Sequence, residues 1–133
     1  MRAGFLAPLL QSPERLFGVR NARTGEWVVT RLESAFDSTA RRRGLLGRTG
    51  LEQGTGLVIA PTNAVHTFSM RFDLDIVFVR RDGRVVRVRR DVPPRRVAVA
   101  LKAFAVIEVQ GGSTRHLDIR AGDHLLVAPV EAS

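Results

Sequence analysis

Between His66 and Phe78 the chain alternates, and this period constrains its fold more than any other feature. The even positions read His66, Phe68, Met70, Phe72, Leu74, Ile76 and Phe78; the odd ones read Thr67, Ser69, Arg71, Asp73, Asp75 and Val77. Side chains of a strand point to opposite faces in turn, so the pattern predicts one half-buried β-strand. Six of the seven inward positions are apolar and the seventh is a histidine. The chain then runs on through Asp82-Gly83 to Val88, which predicts a hairpin with two competing registers. A two-residue turn sets Phe78 against Arg87 and Ile76 against Arg89, with arginines on the buried face. A three-residue loop, 81–83, pairs Phe78 with Val86 and Ile76 with Val88, and turns Arg87 and Arg89 outward with Arg71. A one-residue slip turns every side chain over. The expected register is therefore the second, with a left-handed Gly83 at a bulge.

The flanking sequence extends the β reading. Residues 15–32 predict a hairpin, with Trp27 as a core side chain. Asp37 or Ser38 can cap a short helix that Gly44 and Gly47 keep brief. Residues 54–56 read as a loop, and Leu57 to Ala60 as a buried strand stopped by Pro61. Val97 to Leu101 alternates large and small side chains. Phe104 to Val109 is apolar on both faces, as in a central strand, with Glu108 as its one charge. Ser113 or Thr114 can cap one helical turn, and a last strand ends at Val127. Residues 1–14 read as an arm or edge strand and residues 128–133 as a loose tail. Many short strands, Gly/Pro turns and one or two short helices predict a mainly β single domain over residues 1–133, a sandwich or barrel.

Composition narrows the function classes. Of 133 residues 44% are hydrophobic, enough for a core. There is no cysteine, so disulfides, thiolate metal sites and cysteine nucleophiles are excluded. The Gly-x-Ser-x-Gly and phosphate-loop signatures are absent too. No cofactor and no metal are expected, because His116, Asp123 and His124 do not have a ligand spacing. No apolar run is long enough for a membrane helix, and Met1 to Leu10 lacks a signal-peptide cleavage site. A cytoplasmic protein is expected. The net charge is +8, and 20 of the 21 basic residues are arginine. Charge is densest over residues 80–96, where eight arginines face Asp82 and Asp91.

Several segments carry a family likeness. They are Arg43-Gly44-Leu45-Leu46, the His66 to Phe72 strand, Leu74-Asp75-Ile76-Val77-Phe78, Asp82-Gly83 with Val85-Val86, Pro93-Pro94, Ile107-Glu108 and Gly122-Asp123. In this order the chain resembles the family called domain of unknown function 192, from about Trp27 to Val127. The chain departs from the family at Asp73, where members often have proline, and between Pro94 and Glu108. The resemblance implies a β-sandwich of jelly-roll-like character and implies no reaction. Some members carry export signals.

Three functional readings follow. The first is a non-catalytic binding or accessory module for a small molecule or protein, with a pocket formed by Arg43, His66, Met70, Asp75, Pro94 and Glu108. A buried Glu108 needs a partner or a raised pKa. Arg43 is its expected ion-pair partner; an arginine such as Arg43 or Arg71 is expected for Asp75. The second reading is an anionic partner, nucleic acid included, gripped by Arg80, Arg81, Arg84, Arg87 and Arg89. The third is a hydrolase or isomerase using Asp75, Glu108 or His66. His66 and Asp75 are nine residues apart, which on a straight strand separates them by about 30 Å, on opposite faces.

Overall fold

The computed structural model describes residues 4–12, 14–68 and 70–130. Its elements, in chain order, are α1 (Ala7–Gln11), β1 (Phe17–Asn21), β2 (Trp27–Val29), β3 (Arg31–Ala35), α2 (Ser38–Arg43), β4 (Thr55–Ile59), β5 (Ala64–His66), β6 (Leu74–Val79), β7 (Val85–Val92), β8 (Val97–Val99), β9 (Ala105–Gln110), α3 (Ser113–His116) and β10 (Leu125–Pro129). The strands form three open sheets: β10-β1-β2, β3-β4-β9-β6-β7, and the two-stranded ribbon β5-β8. β3 runs parallel to β4, and the other pairs are antiparallel. The fold is mainly β, and no helix among the described residues is long and apolar enough to cross a membrane.

β6 and β9 lie side by side inside the five-stranded sheet because both are apolar on two faces. Alternation sends Val77, Val79, Ile107 and Val109 to one face, where they share a core with Phe17, Val19 and Leu125 of the three-stranded sheet. Ile76, Phe78 and Val106 point the other way and pack with Leu45, Leu57, Ile59 and Ala98. This second face carries the cleft described below.

The single alternating strand expected from His66 to Phe78 does not form. β5 ends at His66, and β6 begins only at Leu74. Thr67 causes the break: it is 1% exposed, its hydroxyl donates to the Pro93 carbonyl at 2.7 Å, and it accepts the Arg96 amide at 2.8 Å. Backbone bonds between Thr67, Arg95 and Arg96 complete the clamp. A buried hydroxyl with two partners overrides the apolar period, and His66 and Phe68 are left exposed.

The hairpin keeps the expected loop but not the expected register. Arg80 donates to the Arg84 carbonyl across residues 81–83, and Gly83 has φ 90°. A Cβ at Gly83 would come within 2.3 Å of the Leu125 carbonyl, which is why glycine stands there. Val79 pairs with Val85, but Phe78 pairs with Arg87 and Ile76 with Arg89. A bulge at Val86 inserts one residue and turns the strand over, so the rejected pairing follows from the favoured loop. Both arginines therefore lie on the Ile76–Phe78 face rather than outward.

Three smaller expectations change. Residues 7–11 of the N-terminal arm form a helix, with Pro8 in its first turn and Phe5, Leu6 and Leu9 buried. Ala128 and Pro129 of the tail pair with Gly18 and Phe17; residues 131–133 lie outside the described part. Trp27 is only half-buried, under the Arg20 guanidinium at 5.3 Å from the ring centroid.

Candidate functional site

An open cleft of about 330 Å³ lies on the second face, between α2 with its following turn, β5 and β9. Local chemistry places each wall. Asp37 caps α2 by accepting the Ala40 amide at 2.7 Å. Gly44, at φ 46°, ends the helix, and Leu45 (2% exposed) anchors the turn in the core. Arg41, Arg42 and Arg43 are thereby held along one side of the cleft. Ile59, Val65 and Met70 supply apolar wall, and His66 stands at the rim with its ring 5.4 Å from that of Phe68.

Glu108 also lines the cleft. β9 is flanked by β4 and β6, so Glu108 sits between Leu57 and Ile76 and is 4% exposed. Among the described residues no hydrogen bond or ion pair reaches its carboxyl, and the expected pair with Arg43 is absent. Burial alone pushes this carboxyl from 4.5 up to about 7. A carboxyl that titrates near neutrality can present an O–H donor or an anion to whatever enters.

Four of the six residues expected to form a pocket, Arg43, His66, Met70 and Glu108, line this cleft; Asp75 and Pro94 do not. Asp75 is fully buried, but its neighbour Ile76 is the residue opposite Glu108, so Asp75 lies on the other face of β6. Instead of an arginine partner it accepts the amides of Asp91, Gly112 and Thr114 and the Thr114 hydroxyl, at 2.7 to 3.1 Å. This carboxylate ties the end of β7 to the turn before α3. Asp75 and Glu108 therefore share no site, and His66 and Asp75 form no pair. Pro94 is half-buried beyond the end of β7.

The hairpin arginines are dispersed. Arg81 stacks over the Phe104 ring at 4.1 Å, and Arg87 donates to the Val99 carbonyl at 2.9 Å. Arg80 and Arg84 are exposed near the tip, and Arg89 is half-buried. Asp123 is committed elsewhere. Burial would raise its pKa, but the Arg23 guanidinium, the Arg120 amide and the Asn21 side chain outweigh this and hold it at about 2. His124 donates from Nε2 to the Asp82 carbonyl at 2.7 Å. No group of three His, Asp or Glu among the described residues is placed to hold a metal ion.

Ile59, Thr62 and Val65 also line the cleft, and no motif in the sequence marks them for it. The Ala60–Pro61 break after β4 marks where the chain turns over that face, but it carries no sign of which face.

The DUF192 family model, described as "Uncharacterized ACR", matches residues 19–127. A solved protein of unknown function from Novosphingobium aromaticivorans is 29% identical, with a TM-score of 0.73 over 81% of this chain and 82% of that one. A Sinorhizobium meliloti protein described as "a putative transcription regulator" is 21% identical, with a TM-score of 0.73 over 84% of this chain and 93% of that one. The latter likeness is one of fold. No curated protein matches the chain.

Proposed function

Because the chain belongs to the DUF192 family, whose description names no reaction, we propose its function from the cleft: it is a non-catalytic binding or accessory module that holds a small amphiphilic ligand between α2, β5 and β9. The observation that carries this is Glu108, a buried carboxyl with no partner among the described residues, on the wall of an open cleft. No side-chain oxygen among the described residues is both fully buried and without a partner, so the Glu108 carboxyl opens onto the cleft, where a ligand can hydrogen-bond it. Leu45, Ile59, Val65 and Met70 suit an apolar body, and Arg43 and His66 stand where an outer polar group would emerge. The volume is at the small end of small-molecule sites. The shared core of the two larger sheets supports reading the scaffold as a sandwich of jelly-roll-like character.

Binding of an anionic partner by the residue 80–96 hairpin has less support, since Arg81 and Arg87 are engaged by Phe104 and Val99. The test is amide chemical-shift mapping with a set of small aliphatic carboxylates, amines and amides. Shifts should cluster at residues 43–46, 64–66 and 108 and be lost in Met70→Trp, which fills the cleft. Shifts that gather elsewhere, or that survive Met70→Trp, would refute the reading.

A further inference from the structure

We propose that the layer around the cleft is also a docking surface for an anionic lipid bilayer. Three segments cover the second face of the five-stranded sheet: the described parts of residues 38–50 and 61–72, which leave out residue 69, and residues 92–104, of which Phe104 turns to the other core. The first two contribute cleft residues. The third joins them through the pairing of β8 with β5 and the bonds of Thr67 to Arg95 and Arg96.

Together these segments hold eight basic residues and no Asp or Glu. The rest of the chain has 13 of each sign, and of these Arg87 and Arg89, with the carboxylates Glu33 and Glu108, lie on the same face of the sheet, which therefore stays strongly basic. Arg48 is paired with Glu33; the other seven have no ion pair among the described residues.

The same layer exposes apolar side chains. In the β5-β8 ribbon Ala98 turns into the core, so Val97 and Val99 turn outward, at 55% and 37% exposure. Val97 is paired with His66, whose ring meets Phe68, itself 48% exposed. Leu101 continues the outward alternation at 82%. Exposed aliphatic tips in segments rich in arginine, with few carboxylates nearby, match a bilayer interface. Apolar side chains enter the headgroup boundary while basic ones meet anionic lipids. Nucleic acid fits less well: His66 and Phe68 could stack on bases, but Val97, Val99 and Leu101 offer them neither stacking nor hydrogen bonds.

The experiment is co-sedimentation with phosphatidylcholine vesicles, with and without about 30% phosphatidylglycerol. The full chain should bind the anionic vesicles and not the neutral ones. Leu101→Glu, and separately Arg95→Glu with Arg96→Glu, should each weaken partitioning by about tenfold, with circular dichroism unchanged. These side chains are exposed, so the fold tolerates their replacement. Failure to bind anionic vesicles overturns the proposal. So does binding that Leu101→Glu leaves intact, or duplex DNA that binds the wild type and Leu101→Glu equally well and strips both from the vesicles. The last result would assign the layer to nucleic acid.

Discussion

Glu108 and Asp75 are both buried carboxylates in adjacent strands, and their environments are opposite. Asp75 accepts four hydrogen bonds, whereas Glu108 has none among the described residues. Their substitutions should therefore act in opposite directions. Asp75→Ala leaves three amides and a hydroxyl unpaired and should cost about 3–5 kcal/mol in denaturant unfolding, or prevent folding. Glu108→Gln should stabilise the protein above neutral pH. The folded state holds the Glu108 proton more tightly than the unfolded chain, so wild-type stability falls as pH rises from 4.5 through about 7. Removing this group should flatten that decline, whose limit is about 3 kcal/mol. Unfolding curves at pH 5 and pH 8, below and above the folded-state value of about 7, test the sign. Asp123 acts at the other end of the scale: its lowered pKa stabilises the fold above the ordinary aspartate range and is lost as pH falls towards about 2. The sequence marked Glu108 as the odd charge in an apolar strand. It held no sign that Asp75 faces the α3 turn, because Gly112 and Thr114 are more than 35 residues away.

Among the elements, β7 shows how two bulges decide what a strand presents. One at Val86 turns Arg87 and Arg89 onto the cleft face. A second irregularity, between the pairs Leu74–Val92 and Ile76–Arg89, includes Asp91 at φ 52° with its amide given to Asp75. A left-handed conformation suits glycine and penalises β-branched residues. Asp91→Gly should thus stay within about 1 kcal/mol of wild type, while Asp91→Val should lose about 1–3 kcal/mol, as read from urea midpoints at constant slope. The loop, the α2 cap and the central place of β9 were all legible in the sequence, since each rests on local residue chemistry. The register and the break after His66 were not. The register turns on the bulge at Val86, which no residue type in the strand marks, and the break depends on a contact between distant segments, Thr67 with Pro93 and Arg96.

Across the whole molecule, one face of the large sheet is closed by the core it shares with the three-stranded sheet and the other by segments rich in basic residues. α1 belongs to the closed side: Phe5, Leu6 and Leu9 share the core with Leu125 and Val127. Removing residues 1–12 should therefore cost about 5 kcal/mol, from three apolar side chains at roughly 1.5–3 kcal/mol each, and a thermal melt would show it. A loose arm would leave the melt unchanged. The open side is where binding is proposed, and it rests on a buried carboxyl on the cleft wall with no partner among the described residues. Titrating the Glu108 side-chain carbon by NMR, with Glu108→Gln to assign the signal, tests that most directly. The account predicts a midpoint near 7 that moves when a ligand fills the cleft. A midpoint near 4.5, indifferent to every ligand offered, would contradict it.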